Sequence, residues 1–304
     1  MPPPSRDSGI LTVAAIREKS GRILFNEREQ IFTLPETKAR ADVSRLLYES
    51  LEKKVPVRAA LDPRRGIVQK IEPLSEGEIE EFRRMLPPLD RPERTMRVDV
   101  PNIDPTRFNV VDHFLKVKVF KLCTKVVPNY AKAKEIFDYC AQQSCHLPGP
   151  TVENPCIPFQ YVVDGCYARA HKMRKIITEK YGYCCEKVFS YATENDDDLA
   201  VQANKWGGCC VTWWYHVAPL IRVRVKILTF DFTLALVIDP GMFDKPVLLS
   251  SWLMAQENSA CSPNARVSSY SIQPGSAYTP GYSTDPNYTS TNQTLINYQN
   301  LTTC

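Results

Sequence analysis

A cysteine at the start of a predicted helix is the feature that most constrains this chain. The apolar residues 161–163 are typical of a strand, and they lead into Asp164 and Gly165. Cys166 follows on the first turn of a helix, which Asp164 is predicted to cap and Gly182 to end. Unpaired N–H groups at a helix start favour an anion and lower the pKa of a thiol placed there. The segment is therefore typical of a nucleophilic cysteine.

The predicted helix has one apolar and one basic face. Its apolar residues recur at the helical period of about 3.6 residues: Ala170, Met173, Ile176 and Ile177. Its basic residues fall on the other face: Arg169, Lys172, Lys175 and Lys180. In a chain with 11 cysteines, however, Cys166 also fits a half-cystine or a small buried apolar residue.

A cysteine nucleophile needs a base, and the base needs an acceptor that orients it. The chain has four histidines, and three of them are weak candidates. His171 lies on the same helix as the cysteine but points to another side, so an exposed or packing role is expected. His113 and His146 have no carboxylate at an informative spacing and are expected at the surface.

His216 differs because it lies in the aromatic and β-branched run 209–220, which predicts a buried strand. A buried imidazole must have hydrogen-bond partners. The next predicted strand, residues 233–238, delivers Asp239 just before Pro240, where a strand must end. A hairpin between them would turn at residues 226–229, which lack Gly, Pro and Asn, so a longer loop or a bulge is expected.

The motifs at residues 164–174, 209–218 and 238–243 resemble those of the bacterial protein-glutaminases, secreted enzymes that deamidate glutamine side chains in proteins. They follow in order over roughly residues 127–271. The resemblance implies that Cys166 is the nucleophile, His216 the general base and Asp239 the orienting carboxylate. It also implies a core similar to transglutaminases and papain-like proteases, with the cysteine helix packed on an antiparallel sheet. No metal or organic cofactor is expected.

The cysteines are confined to the second part of the chain, from Cys123 onward. The absence of any C-x-x-C pair argues against a zinc site. With one cysteine reserved as the nucleophile, ten remain, enough for as many as five disulfides and typical of an oxidising compartment. Cys145 and Cys156 bracket a loop that resembles the family's and are the first expected pair. The other pairings stay open.

Length and composition bound the other functions. The 304 residues allow two domains, and 43% apolar residues can build a substantial core. A net charge of +4 does not indicate binding to nucleic acid or a membrane. No apolar run reaches membrane-spanning length, and the first residues lack the apolar core of a signal peptide. We expect a secreted monomer whose partners are proteins or peptides with accessible glutamine and an activating protease.

The order of predicted elements indicates an α+β fold with an N-terminal domain at 1–90, a linker at 91–122 and a catalytic domain at 123–304. Residues 1–8 are expected to be disordered. The N-terminal domain reads as two hairpins, each followed by a helix: Ile10–Ile16 with Arg22–Phe32, a helix capped by Thr37 through Lys54, Val55–Ala60 with Gly66–Ile71, and a helix from Ser75 to Met85.

Three further segments carry expectations. Asn129 to Gln143 is predicted to be a helix behind Pro128. The acidic run 194–198 is most simply a solvated loop. Residues 258–304 hold few charges and many Ser, Thr, Asn and Tyr, so they are not expected to build a large core, although Cys261 or Cys304 could tie them down.

The family's N-terminal part is a propeptide that covers the active site, and the domain at 1–90 resembles it in position and size. The resemblance implies that a strand or loop between Gly9 and Met85 lies beside Cys166. Cleavage at a basic residue between Leu86 and Cys123 would then activate the chain. Three alternatives remain open: a transglutaminase-like acyl transferase, a protease, and a non-catalytic secreted module in which disulfides staple the fold and pair Cys166.

Overall fold

The computed structural model describes residues 7–35, 41–90, 92, 95–100, 124–147, 153–193, 196–227 and 230–304. Within these residues the fold is α+β, as predicted, with two six-stranded sheets and a separate two-stranded ladder. We call the residues up to 90 the N-terminal domain and those from 123 onward the C-terminal domain. The predicted disorder of residues 1–8 falls largely outside the described ranges.

The first sheet lies in the N-terminal domain, with strand order β1-β5-β6-β4-β3-β2. Its strands are β1 Asp7–Leu11, β2 Val13–Arg17, β3 Arg22–Phe25, β4 Phe32–Thr33, β5 Val57–Asp62 and β6 Ile67–Glu72. Its helices are α1 Ala41–Lys53 and α2 Glu76–Met85. Both predicted hairpins are confirmed, because β2 pairs with β3 and β5 with β6, each antiparallel. The predicted strand Ile10–Ile16 is, however, divided between β1, which pairs with β5, and β2.

The helix predicted to open at Ser75 is confirmed, including its cap. The Ser75 hydroxyl accepts from the backbone N–H of Glu78, and the Glu78 carboxylate accepts from the backbone N–H of Ser75. This reciprocal pair satisfies donors that the first turn leaves open. Thr37, the predicted cap of α1, lies outside the described residues.

The strand predicted over Arg22–Phe32 is wrong in its second half, because β3 ends at Phe25. Residues 26–31 leave the sheet and run against the C-terminal domain. There the indole N–H of Trp214 donates to the carbonyl oxygens of Phe25 and Arg28, and the Tyr215 hydroxyl donates to that of Asn26. These bonds take the place of the predicted strand ladder.

The second sheet forms the centre of the C-terminal domain and has the order β13-β12-β11-β8-β14-β7, with antiparallel pairing throughout. Its strands are β7 Met96–Asp99, β8 Glu186–Tyr191, β11 Tyr215–Ile227, β12 Phe230–Val237, β13 Val247–Leu248 and β14 Ser269–Gln273. The small ladder joins β9 Leu199–Gln202 to β10 Cys210–Trp213. The helices are α3 Tyr130–Gln142, α4 Cys166–Lys175, α5 Leu249–Met254 and α6 Thr289–Tyr298.

Helix α3 confirms the predicted helix behind Pro128, and the side chain of Asn129 caps it by accepting from the N–H of Lys132. The single strand predicted over 209–220 is instead two strands that separate at Trp214. The backbone of this residue bonds to Ala192 and to Glu29 rather than to a neighbouring strand. The bond to Glu29, which lies far away in the sequence, interrupts the strand at Trp214.

The hairpin of β11 and β12 is tighter than expected. Its ladder runs without a register shift from Leu220–Val237 to Ile227–Phe230. The expected longer loop or bulge is therefore wrong, and the two turn residues lie outside the described ranges. Because the pairing is offset from the predicted one, His216 does not face Asp239 across the ladder but pairs with Ser190 of β8.

The C-terminal segment contradicts its prediction, because it supplies core structure. β14 lies between β8 and β7, and Tyr270, Ile272 and Leu295 are buried. Few charges in this segment mean that tyrosine and serine side chains can enter a sheet without a large desolvation cost. Disulfides Cys210–Cys261 and Cys209–Cys304 tie the segment down, as expected.

The predicted disulfide Cys145–Cys156 is confirmed, and Cys184 is also disulfide-bonded. Among the described cysteines, Cys140, Cys166 and Cys185 are free and buried. With Cys140 and Cys185 free, the chain forms fewer than the five disulfides that its cysteine count allows. Two of the free thiols, Cys140 and Cys185, pack in the apolar core, where cysteine behaves as a small hydrophobic residue.

Part of the predicted linker is integrated into the C-terminal domain. Strand β7 pairs with β14, and the N–H of Leu89 donates to the carbonyl of Tyr282 at 2.5 Å. Leu86 and Leu89 are buried against the same core. The division at 90 and 122 stays a prediction, with β7 as a structural link across it.

The acidic run at 194–198 is not simply solvated. Asp198 is buried, and its Oδ1 lies 2.8 Å from Nη1 of Arg22 and 3.9 Å from Nη1 of Arg17. The Ser20 hydroxyl donates to Asp196 at 2.6 Å. Asp196 and Asp198 therefore form a polar and charged contact between the two domains, whereas residues 194 and 195 lie outside the described ranges. No helix in the described ranges is both long and apolar enough to cross a bilayer.

We expect the disulfides to contribute unequally to the free energy of unfolding. Cys209–Cys304 spans 95 residues and Cys145–Cys156 spans 11. Loop-closure entropy gives losses of about 5 and about 3 kcal/mol for replacing each pair by serine. Urea unfolding of the Cys209→Ser/Cys304→Ser and Cys145→Ser/Cys156→Ser chains measures both. A larger loss in the short-loop variant would contradict this ranking.

Candidate active site

The turn before Cys166 depends on glycine. Gly165 is the residue that caps α4, with φ of 88°, and a Cβ there would lie 2.9 Å from Cδ2 of Tyr298. The predicted cap, Asp164, is wrong: its carboxylate instead accepts from the N–H of Glu29 at 3.0 Å and from the Tyr298 hydroxyl at 2.7 Å. A left-handed backbone is easy only for glycine, so the turn and the close packing both select it.

Helix α4 has no exposed basic face in its first turns, because Arg169 and Lys172 are buried. Nη1 of Arg169 donates to the carbonyls of Tyr161 and Asp164 at 2.6 Å each, which braces the turn before the cysteine. Lys172 reaches Glu153 at 3.0 Å. Arg169 and Lys172 therefore have polar partners inside the fold. The helical pattern alone could not reveal these partners. Gly182 follows the helix with φ of 67°, as its predicted stop requires.

His171 is a packing residue. It is buried, with Nε2 3.1 Å from the carbonyl of Asp285 and Nδ1 2.8 Å from Nζ of Lys187. Burial, together with the nearby Lys187, lowers its pKa to about 2. His146 is exposed, as expected, and His113 lies outside the described residues.

His216 and Asp239 form a buried pair. The Nε2–H of His216 donates to Oδ2 of Asp239 at 2.9 Å, and the indole N–H of Trp252 donates to the same oxygen at 2.9 Å. Asp239 follows the end of β12 and precedes Pro240, as predicted. The carboxylate therefore fixes which ring nitrogen of His216 faces away from it, toward the cysteine.

Two tryptophans enclose the imidazole ring. The Trp213 ring stacks on one side with centroids 4.7 Å apart and planes at 11°, and the Trp252 ring lies 5.4 Å away at 24°. Aromatic faces favour a nearby cation and exclude water. The stack therefore orients the ring of His216 and suits its protonated form.

Glu29 of the N-terminal domain enters the same site. Its Oε2 lies 3.4 Å from Nδ1 of His216, and its Oε1 lies 3.4 Å from Nη2 of Arg169. Ligand atoms of Glu29, Cys166 and His216 all lie within 4.8 Å of one another. The expected loop between Gly9 and Met85 beside Cys166 is confirmed, and Glu29 is the residue that reaches the thiol.

The main chain of Glu29 is held on both sides. Its N–H donates to Oδ1 of Asp164, and its carbonyl accepts from the N–H of Trp214, each at 3.0 Å. Only the side chain passes inward to Cys166 and His216. The site therefore receives the side chain of Glu29 while its backbone is bonded to Asp164 and Trp214.

The ionisation of His216 depends on the two carboxylates beside it. Burial opposes the charged ring of His216, but the hydrogen bonds and charges of Asp239 and Glu29 outweigh it and raise the pKa to about 9. Burial also opposes the charge of Asp239, and the bond to His216 outweighs it, so the pKa of Asp239 is lowered. The site thus holds an imidazolium between two carboxylates.

Cys166 differs from its prediction. Burial first, and then the carboxylate of Glu29, raise the pKa of its thiol well above the usual value, although Arg169 acts in the opposite direction. The lowering expected from the helix start does not prevail while Glu29 is in place. In the intact chain the thiol is therefore protonated at neutral pH.

The Sγ, Nδ1 and carboxylate oxygen of the same three residues are donors of the type that bind zinc. One of them, Glu29, belongs to the N-terminal domain. Removal of that domain would leave Cys166 and His216 alone, too few for a closed zinc site. Among the residues that the structure describes, no other such cluster occurs.

A buried cysteine at a helix start, facing a histidine and aspartate on an antiparallel sheet, defines the class of cysteine hydrolases and acyl transferases. A family model described as Glutaminase matches residues 133–256. No curated protein sequence matches the chain.

Solved structures give closer comparisons. A crystal structure of pro-protein-glutaminase is 28% identical over 98% of this chain and 95% of that chain, with a TM-score of 0.72. A crystal structure of protein-glutaminase is 37% identical over 60% of this chain and 92% of that chain, with a TM-score of 0.51. The NMR structure of protein-glutaminase from Chryseobacterium proteolyticum is 39% identical over 59% and 91%, with a TM-score of 0.51. The chain belongs to the protein-glutaminase family.

Sequence reasoning missed Glu29, Arg169 and Trp252 as parts of the site. Glu29 lies in another domain, and Trp252 lies 13 residues beyond Asp239. The only available signal was indirect: a buried aspartate beside a histidine needs a further donor, and tryptophan supplies one. Which tryptophan does so depends on the packing of α5.

We expect the ring of His216 to titrate near pH 9 in the intact chain and at lower pH in Glu29→Ala, which lacks one carboxylate. Because this pKa is raised above its ordinary 6.5, the charged ring stabilises the chain fully below pH 6.5 and this stabilisation is lost as pH rises through about 9. Ring NMR with His216→Gln for assignment measures the titration, since the chain has only four histidines. Glu49→Ala, on α1 with a side chain that is 41% exposed, is the control. Titration near 6.5 in the intact chain would contradict this account.

Proposed function

We propose that this chain is the proenzyme of a protein-glutaminase, which converts glutamine side chains in proteins and peptides to glutamate with release of ammonia. Cys166 is the nucleophile, His216 the general acid and base, and Asp239 the residue that orients the imidazole. The N-terminal domain acts as the propeptide and keeps the enzyme inactive until a protease cuts the chain.

The placement of Glu29 carries this proposal. Glutamate is the product of glutamine deamidation, and the two side chains have the same length and shape. The carboxylate of Glu29 lies against Cys166 and His216, while its backbone bonds to Asp164 and Trp214. The loop therefore occupies the site as a bound product would.

The first half of the reaction follows from these positions. The thiolate of Cys166 attacks the side-chain amide carbon of glutamine, and the oxyanion is held by backbone N–H groups at the start of α4, including that of Cys166. His216, as imidazolium, gives a proton to the departing ammonia. A thioester between Cys166 and the substrate side chain remains.

Water completes the reaction. His216 now accepts a proton from water, which attacks the thioester and releases glutamate and the free thiol. Asp239 and Trp252 hold the ring through both steps, because they fix Nε2 and leave Nδ1 facing the reacting atoms. No step of this sequence requires a metal or an organic cofactor.

The geometry of the site bears on two of the three alternatives. A protease would place a backbone carbonyl at the thiol, whereas here the carboxylate of Glu29 lies there and its backbone carbonyl accepts from the N–H of Trp214. A disulfide-stapled module with Cys166 paired is contradicted by its free thiol. A transglutaminase would use the same thioester with an amine as acceptor, so ammonia release without amine incorporation distinguishes it.

Glu29 also supports the proenzyme assignment. Its carboxylate takes the position beside His216 that a thiolate of Cys166 would take, and it keeps that thiol protonated. Because the loop is part of the same chain, it is present at millimolar effective concentration, and a weak affinity suffices to keep the site filled. The similarity to pro-protein-glutaminase supports three further proposals. The protein is secreted, its substrates are proteins, and a protease activates it by cutting between Leu86 and Cys123.

Glu29→Gln should turn the loop into a substrate within its own chain. Attack by Cys166 expels ammonia and leaves a thioester about 17 Da lighter, and hydrolysis then gives glutamate, about 1 Da heavier than the starting glutamine. Intact-mass analysis and peptide mapping of residues 26–31 measure either change. The matched control, Glu29→Gln/Cys166→Ala, should keep its original mass. An unchanged mass in the single variant would argue against Cys166 as the nucleophile.

Limited trypsin treatment should activate the purified chain. We expect at least about a tenfold rise in ammonia release from a blocked glutaminyl dipeptide once the N-terminal domain is cut away, because the site loses its covalently held occupant. The cleavage products are mapped by mass, and a Cys166→Ala chain treated alike is the blank. Full activity in the uncut chain would rule out the proenzyme assignment, as would loss of activity on clean removal of the domain.

A further inference from the structure

Arg28, the residue directly before Glu29, contacts two side chains of the C-terminal domain. Its Nη1 donates to the hydroxyl of Tyr167 at 2.9 Å, and its Nε lies 3.4 Å from Oδ2 of Asp164. The side chains of Arg28 and Asp164 are only 12% and 4% exposed. A charge-assisted contact with so little solvent is screened much less than a surface ion pair.

Asp164 contacts two neighbouring positions of the loop at once. Its Oδ1 accepts the backbone N–H of Glu29, and its Oδ2 faces the guanidinium of Arg28. The carboxylate of Asp164 therefore contacts both the backbone of Glu29, whose side chain enters the site, and the side chain of Arg28. Tyr298 donates to Oδ2 and holds the group in this orientation.

Removal of the N-terminal domain takes both of these loop partners away. Asp164 then keeps the Tyr298 hydroxyl but loses a cation and a backbone donor. The vacated position then presents a carboxylate that has lost a cation and a backbone donor, so it favours a ligand that restores them. A peptide with a basic residue before glutamine supplies the same two groups.

We propose that Asp164 and Tyr167 form a specificity subsite that selects an arginine or lysine immediately before the target glutamine. The proposal rests on the proposed deamidase function and on the loop's acting as a bound product. It makes residues 28–29 a template for the preferred substrate, with a basic residue followed by glutamine. Asp164 is a specificity residue here, distinct from the reacting groups.

The test compares three capped peptides on the trypsin-activated enzyme: Ac-Ala-Arg-Gln-Ala-NH2, Ac-Ala-Ala-Gln-Ala-NH2 and Ac-Ala-Glu-Gln-Ala-NH2. A partly buried charge-assisted contact predicts kcat/KM about tenfold higher for the arginine peptide than for the alanine peptide, with the glutamate peptide lowest. The difference should lie mainly in KM, because the contact is remote from the reacting bond. Ammonia release measures all three.

Variants assign the preference to its residues. In Asp164→Asn, which still accepts the glutamine N–H, the ratio between the arginine and alanine peptides should fall to about one. Tyr167→Phe should lower the ratio by a smaller factor, and it also tests the subsite if Asp164→Asn folds poorly. Asp244→Asn, whose side chain is 88% exposed, is the matched control and should keep the wild-type ratio.

The intact chain gives an independent readout. Arg28→Ala should weaken the hold on the loop and raise ammonia release from the uncut chain, whereas Arg64→Ala, exposed on the turn between β5 and β6, should not. Equal kcat/KM for the three peptides in the activated enzyme would overturn the subsite and leave the deamidase intact. Absence of ammonia from every peptide would overturn the deamidase and the subsite together.

Discussion

The imidazolium of His216 is balanced by negative charge on two sides, and the organisation of the molecule depends on that balance. Asp239 supplies one charge permanently, through a bond that Trp252 reinforces. The other side of the ring faces Cys166, and in the intact chain Glu29 fills it. The carboxylate of Glu29 and a thiolate of Cys166 would both lie beside the one imidazolium. Because like charges repel, the carboxylate disfavours ionisation of the thiol. In the proposed proenzyme, inhibition and catalysis are therefore alternative occupations of this one position beside His216.

The same competition explains the architecture around the site. To deliver one carboxylate, residues 26–31 give up strand pairing and take backbone partners from the C-terminal domain. The charged contact between Asp198 and the arginines of β2 and β3 holds the donor domain at a second point. On the opposite side, Tyr298 of α6 packs over Gly165 and donates to Asp164. The C-terminal segment is thus part of the site's wall, which explains its burial.

Much of the molecule follows from local pattern. The hairpins, the capped helix α2, helix α3, the Cys145–Cys156 pair and the order of Cys166, His216 and Asp239 depend on periodicity, turn chemistry and short motifs, and the resemblance assigned the three roles. The errors share another cause. Asp164 is a good cap by type, residues 26–31 follow directly on a strand and are predicted to continue it, and Arg169 looks like a surface cation. In each case a distant partner overrode the local preference, because a buried polar group bonds to whatever the fold brings near it.

The sequence by itself therefore determined the elements and the chemistry available to them: a thiol at a helix start, a histidine in a buried strand and an aspartate at a strand end. These depend on interactions between near neighbours along the chain, which composition and spacing encode. The tertiary structure alone decided that Glu29 enters the site, that Trp213 and Trp252 enclose the ring of His216, and that the C-terminal segment completes the sheet. Such contacts join residues far apart in the chain, and their energies depend on burial and distance, which exist only once the chain has folded.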